Sequence, residues 1–296
     1  MPRIAIATFR SMPSEFTDDE RLRELLTLRG AEAERIPWDA TVDWTSWDLV
    51  VIRSTWDYDK RRDQFVAWAE QLGDRLHNRP SVVSWNSDKR YLRDLAEDGL
   101  PVVPTVFVTP VDTIPELHGE IVVKPTVSAG GRDTGRFSER VHDAARALIA
   151  SIHASGRVAM IQPYLAGVDA AGETAVVCLD GLPSHVLHKR AVLRPDEVAP
   201  VRDAPDGTGA AEAMYSPDLV GPGEASDAEL DLARRVIAHV TDRFGEVPLY
   251  ARVDMVPGQG GTPVLMELEA VEPNLYLDKA PGEAAHRLAT AILARL

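Results

Sequence analysis

IVVKPTVSAGGRDTGRF, residues 121–137, joins a buried strand to a glycine loop through one lysine. Ile121, Val122 and Val123 are β-formers, so the strand delivers the Lys124 ammonium to its end, where a cleft can begin. Pro125 stops the strand. Ser128-Ala129-Gly130-Gly131 can then turn backbone N–H groups toward an anion, because glycine tolerates positive φ and close approach. The stretch matches neither the P-loop nor the GxGxxG pattern, and a surface β-turn would use the same residues. What else the chain offers to an anion decides between the two.

The chain has 296 residues, 45% hydrophobic and 26% charged, enough for a large core and two or three lobes. A formal charge of -14 argues against nucleic-acid or anionic-membrane partners, which need a basic surface, and leaves a small molecule as the expected partner. Cys178 is the only cysteine, so no internal disulfide can form; its apolar setting (175–179) suits a packed strand thiol better than a nucleophile. No run of about 18 apolar residues exists, and the chain opens as a strand rather than a signal peptide, so a cytoplasmic location is expected.

Upstream, residues 3–9 read as a strand and Thr17-x-x-Glu20 as a capping box for a helix reaching Gly30. Residues 31–36 and 48–54 read as further strands. This β-α-β opening predicts a parallel sheet whose carboxyl edge receives Arg53-Ser54-Thr55-Trp56-Asp57-Tyr58, either a substrate site or a loop whose tryptophan packs on the next helix. Arg53 follows an apolar run and needs a carboxylate partner from the protein or a ligand. Helices are predicted over 61–77 and 89–97, the second capped by Asn86-Ser87-Asp88. Residues 102–108 read as a strand whose proline places it at an edge. Downstream come a helix over 139–154, a strand over 158–162, and a hairpin turning at Asp180-Gly181 between 173–179 and 183–189. Residues 194–225 read as a long mobile loop. A helix capped by Ser226-x-x-Glu229 ends near Gly245, and the last helix starts near Pro281.

LYARVDMVPGQGGTPVLMELEAVEPN, residues 249–274, is the second informative stretch. Its glycines mark a turn between two alternating strands. Arg252 and Asp254 share one face, Glu267 and Glu269 share one on the return strand, and pairing 254 near 267 would crowd the carboxylates within about 5 Å. Crowded carboxylates raise one another's pKa unless a cation neutralises them, and Mg²⁺ shared with nucleotide phosphates is a common solution. A solvated acidic face is the alternative.

In this order, a strand-end lysine, a glycine loop, a distant Arg-x-Asp and a Glu-x-Glu resemble the ATP-grasp superfamily of carboxylate-amine ligases, from about Asn86 onward. The resemblance implies an α/β fold of three parts: an N-terminal parallel-sheet substrate lobe (1–85), a central subdomain with a small α+β lid (86–165), and a C-terminal α+β lobe with the Mg²⁺ and ATP site (166–296). It implies that Lys89, Lys124 and Lys189 contact phosphates, with Ser128, Gly130 and Gly131 in the loop above them. Gln162, Tyr164 and Leu165 would hold adenine, with Pro163 standing where the family often has lysine. Glu173 would take the ribose, with Asp169 as competitor. Asp254, Glu267 and Glu269 would be Mg²⁺ ligands, with Glu269 where many members carry asparagine. Arg252, with Lys189, would stabilise the transition state of acyl-phosphate formation.

RSTWDY (53–58), WNSDKRYL (85–92), VKPTVSAGGRDT (123–134) and ELEAVEPNLYL (267–277) are similar to the group that includes O-ureido-D-serine cyclo-ligase, the D-cycloserine synthetase. That similarity implies an amino-acid carboxylate activated by ATP and attacked by the substrate's own nitrogen. Arg53, Ser54, Thr55, Asp57 and Arg190 are candidates to grip such a substrate. A two-substrate amino-acid or dipeptide ligase, or a non-catalytic nucleotide-binding module, are the alternatives; by analogy with relatives the chain would pair as a homodimer.

Overall fold

Apolar runs such as Ile4–Ala7 and Leu49–Ile52 need cover on both faces, which a parallel sheet under helices provides. In the computed structural model, which describes residues 1–10, 17–202, 209–280 and 283–296, β1 (Arg3–Thr8), α1 (Thr17–Leu28), β2 (Glu32–Pro37), β3 (Leu49–Ile52), α2 (Arg62–Leu72) and β4 (Leu76–His77) build that lobe. Its strands are parallel in the order β2-β1-β3-β4. The helix expected over 61–77 stops at Leu72, because Gly73 turns the chain at φ 56° and the fully buried Leu76 is needed as a fourth strand. Glu20, expected in a capping box, is held by Arg23 and Arg35; the side chain of its partner Thr17 lies outside the described residues.

α3 (Pro80–Asn86), with proline in its first turn, was not expected, and the helix predicted over 89–97 is α4 (Tyr91–Glu97). Both lay apolar residues (Val82, Tyr91, Leu92, Leu95) on the C-terminal sheet. Pro104 splits the strand expected over 102–108. Val102 bridges to Leu265, and only β5 (Val106–Val108) joins the lid sheet, at its edge as expected. The lid continues with β6 (Ile121–Pro125), β7 (Gly135–Phe137), α5 (His142–Ala154) and β8 (Ala159–Pro163). Ala145, Ile149 and Ile152 of α5 close its core against Ile121, Val123 and Phe137.

After α6 (Gly167–Ala171), β9 (Glu173–Leu179) and β10 (Leu182–Lys189) form the predicted hairpin; Asp180 and Gly181 both take positive φ, which a two-residue turn of right-handed strands requires. The region expected as one long loop holds β11 (Glu197–Val198), β12 (Val201–Arg202), β13 (Ala210–Ala211) and β14 (Val220–Pro222). β11 extends the lid sheet beside β7 and β14 edges the C-terminal sheet beside β10, so short strands punctuate the expected loop, of which 203–208 lie outside the described residues. α7 (Asp227–Phe244) starts on the Ser226/Glu229 capping box and ends at Gly245 in the left-handed region. β15 (Tyr250–Pro257) and β16 (Pro263–Glu269) complete the order β14-β10-β9-β15-β16. The last helix is α8 (Ala284–Leu293); the start expected at Pro281 lies outside the described residues. Leu288 and Ile292 of α8 pack with Leu22 and Leu26 of α1 and with β9, tying the first lobe to the last. No helix among the described residues is long and apolar enough to cross a membrane.

Candidate active site

Period-two alternation puts Arg252 and Asp254 on one face of β15 and Glu267 and Glu269 on the same face of β16, and the register pairs Arg252 with Glu269 and Asp254 with Glu267. β9 brings Glu173 and β10 brings Lys189 to the next positions, where Lys189 Nζ lies 2.7 Å from Glu173 Oε2 and 2.8 Å from Asp254 Oδ2. Arg252 closes on Asp254 with two hydrogen bonds of 2.8 Å and also pairs with Glu269. Burial alone would raise the pKa of Asp254, which is 1% exposed, but Arg252 and Lys189 outweigh it and hold the carboxyl well below the usual range.

The lid completes the ring of charge. Lys124, at the end of β6, sits 4.0 Å from Glu267 Oε2, and Lys89 lies 3.2 Å from Oε1 of the same carboxylate. Burial pushes the Lys124 ammonium below its ordinary pKa, only partly offset by Glu267, with Lys89 and Lys189 as repelling neighbours. Burial and the neighbouring carboxylates push Glu269 up to about 7 against the pull of Arg252. Lys89 also donates to the Ser128 carbonyl at 2.9 Å, so one cation joins the late hairpin to the glycine loop.

All of these groups except Asp254, which is buried and not part of the wall, line a cavity of about 550 Å³, a size that suits a nucleotide-scale ligand. Its wall includes Lys89, Lys124, Ser128, Gly130, Gly131, Gln162, Tyr164, Leu165, Glu173, Lys189, Arg190, Arg252, Glu267 and Glu269. Gly130 has φ 63°, and a Cβ there would meet the Cβ of Ala210 at 2.9 Å, so the loop needs glycine both for its conformation and for its approach to β13. Arg132 fastens the loop to the first lobe through Asp59 at 2.6 Å and the Trp56 carbonyl at 3.3 Å, and its other nitrogen reaches the Gly209 carbonyl.

Several expected positions are placed differently. Asp169 does not line the cavity; it is gripped by both terminal nitrogens of Arg136 at 2.9 Å and by the Tyr164 hydroxyl at 2.6 Å, which leaves Glu173 as the acid of the two that faces the cavity. Arg53, Ser54, Thr55 and Asp57 do not line the cavity. Arg53 finds its carboxylate inside the protein, 3.5 Å from Asp19, which also accepts from Ser54 at 2.6 Å. Asp57 accepts from Trp38 and Arg61, both at 2.9 Å. Their hexapeptide does reach the cavity, through Trp56 and Tyr58, in the turn and short 3-10 helix (Tyr58–Arg61) that follow β3.

Hard oxygens from Glu267 and Glu269 on one cavity wall suit Mg²⁺ shared with phosphates. Among the described residues no group of three or more His, Cys, Asp or Glu is spaced to hold a metal alone. Asp254 Oδ2 accepts from both Arg252 and Lys189 while Oδ1 accepts from Arg252 alone, so a cation there would share Oδ1 with the guanidinium or displace it.

Known proteins share this fold. The family model for the N-terminal domain of D-cycloserine synthetase DcsG matches residues 4–78. A crystal structure of D-cycloserine synthetase DcsG superposes with a TM-score of 0.85 at 32% identity, covering 99% of both chains. The cycloserine biosynthesis protein DcsG of Streptomyces lavendulae is 35% identical over 97% of this chain and 96% of its own. This chain belongs to the DcsG family of ATP-grasp ligases. A D-alanine–D-alanine ligase from Bacillus anthracis, solved with ATP, has the same fold at 15% identity and a TM-score of 0.66, covering 100% of this chain and 97% of its own.

For a DcsG-family chain, three site residues escaped the sequence reading. Arg132 lies inside the glycine stretch but has no spacing signature. Asn86 was read as a helix cap; it lines the cavity and ties β16 down by donating to the Leu268 carbonyl and accepting from Ala270 N–H. Glu272 follows the Glu-x-Glu motif by three residues and also faces the cavity. Burial, reinforced by Glu269, pushes its carboxyl up to about 8.

Proposed function

We propose that the cavity binds ATP with Mg²⁺, activates the carboxylate of a small amino acid as an acyl phosphate, and closes that substrate on its own nitrogen, as the similarity to D-cycloserine synthetase suggests. The observation that carries this reading is the meeting of Lys124 with Glu267, which brings lid cations and hairpin carboxylates to one place. Lys89, Lys124 and Lys189 would neutralise the triphosphate. Arg252, buried and preorganised by Asp254 and the Asn274 carbonyl, would face the charge that builds on the transferring phosphoryl group and the attacked carboxylate. Glu267 and Glu269 would hold Mg²⁺, with Asp254 joining by sharing Oδ1 with Arg252 or releasing it. Bound there, Mg²⁺ supplies charge neutralisation to the phosphates.

Gln162, Tyr164 and Leu165 form the adenine end, Glu173 the ribose contact, and Ser128, Gly130 and Gly131 the cover that excludes water from the acyl phosphate. Arg190, at the rim, would take the substrate's anionic group. The segments 1–85, 86–165 and 166–296 would act as substrate wall, lid and phosphate floor. A coupled ADP-release assay tests the reading: O-ureido-D-serine alone should support turnover and yield a ring product. Turnover only when two amino acids are supplied would instead favour a ligase like the D-alanine–D-alanine enzymes, whose fold this chain shares.

A further inference from the structure

Four carboxylates line the cavity, and three of them already hold a protein cation. Glu173 pairs with Lys189, Glu267 with Lys89 and Lys124, and Glu269 with Arg252. Glu272 forms no ion pair among the described residues: its carboxyl accepts from its own backbone N–H and feels Lys89 only from a distance, although it faces the same enclosed space. Burial and Glu269 favour the protonated carboxyl, and a cation arriving beside it would favour the ionised form.

The segment that carries Glu272 is held unusually firmly for a connection. Five consecutive carbonyls each accept from a different side chain: Ala270 from Asn78 at 2.7 Å, Val271 from Tyr250 at 3.0 Å and Glu272 from Trp56 at 3.2 Å. Pro273 accepts from Arg53 at 3.2 Å and Asn274 from Arg252 at 2.9 Å. Locking every carbonyl of a loop fixes the position of what it displays, as a binding group requires. The Trp56 ring that anchors it also lines the cavity, with the Phe9 ring 6.2 Å away, and aromatic walls suit a cation.

We propose that Glu272 receives the α-ammonium of the amino-acid substrate. The inference rests on the carboxylate-activating function proposed above and adds a specificity element to it. Paired with Glu272, the α-nitrogen stays protonated and has no lone pair with which to attack the acyl phosphate of a second molecule, so bond formation is left to the substrate's other nitrogen. Arg190 is the cavity cation with no carboxylate partner among the described residues, which completes a match to a zwitterion.

The test compares ADP release with O-ureido-D-serine and with its analogue carrying hydrogen in place of the α-ammonium. Wild-type protein should favour the ammonium-bearing compound in kcat/KM by roughly 30-fold or more. Glu272→Gln should raise the KM for O-ureido-D-serine by a similar factor and erase the preference, with the ATP KM and melting temperature unchanged. Glu272→Asp should keep part of the preference. Wild-type protein that uses both compounds equally, or an active Glu272→Gln that still discriminates, would overturn the role of Glu272. ADP release by wild-type protein on no amino acid would overturn the underlying activity instead.

Discussion

Arg252 and Arg53 are both almost wholly buried, and both face an aspartate, yet only Arg252 looks into the cavity. Arg252 sits in mid-strand on a face it shares with Glu269, opposite a lid that leaves room for a ligand. Arg53 sits at the end of β3, where the C-terminal chain crosses over it; it pairs with Asp19 and spends a further donor on the Pro273 carbonyl. The two are chemically alike, and their difference is one of coverage. A buried arginine serves the reaction when its carboxylate partners remain open to a ligand, and serves the scaffold when the protein closes around the pair.

Substituting each arginine by methionine is the sharpest way to break this comparison. Arg53→Met should give the larger loss of stability, about 3 kcal/mol, because it leaves Asp19 buried without its cation. Urea unfolding measures that loss, and the ATP KM of the folded fraction should stay within about twofold, since no nucleotide contact is assigned to Arg53. Burial already pushes the Asp19 carboxyl above its ordinary value, so proton uptake limits the damage. Arg252→Met should lower kcat by about 10²–10³ while costing less stability, because Lys189 still neutralises Asp254. Similar losses of stability and turnover in both variants would erase the distinction.

Cys178 gives the smallest effect and a control for burial without charge. It lies in β9 at 1% exposure, and burial pushes its thiol up to about 12, in line with the packed thiol read from its apolar neighbours. The native protein should therefore resist thiol labelling at pH 8 and react fully once unfolded. Because the unfolded thiol loses its proton near pH 9 while the native one keeps it, this group should lower stability as the pH rises from 9 toward 12. Rapid labelling of the native protein would contradict its packing.

Much of the site was legible because strands impose a period of two. Alternation alone put Arg252 with Asp254 and Glu267 with Glu269 on shared faces, and the observed register joins those pairs as expected. The glycine loop was legible because positive φ singles out glycine. Asp169 against Glu173 was not: both are acids near one turn, and only the capture of Asp169 by Arg136 and Tyr164 turns it aside. Within region 194–225, of which 203–208 lie outside the described residues, proline and glycine signalled the irregular backbone but not β11 and β14, whose partners are strands distant in sequence.

By itself the sequence determined the elements whose causes are local: the Ser226 cap, the Asp180-Gly181 turn, the strand-end lysine and the acidic hairpin. It also carried the order of motifs that marks the family. Only the tertiary structure decided which charges meet and which stay open. Arg53 was closed against Asp19, while Glu272 was left facing the cavity on a loop whose carbonyls are held from Asn78, Tyr250, Trp56, Arg53 and Arg252. The physical reason is range: a cap or a turn is fixed within a few residues, whereas the partner of a buried charge is chosen by whichever distant segment folds against it.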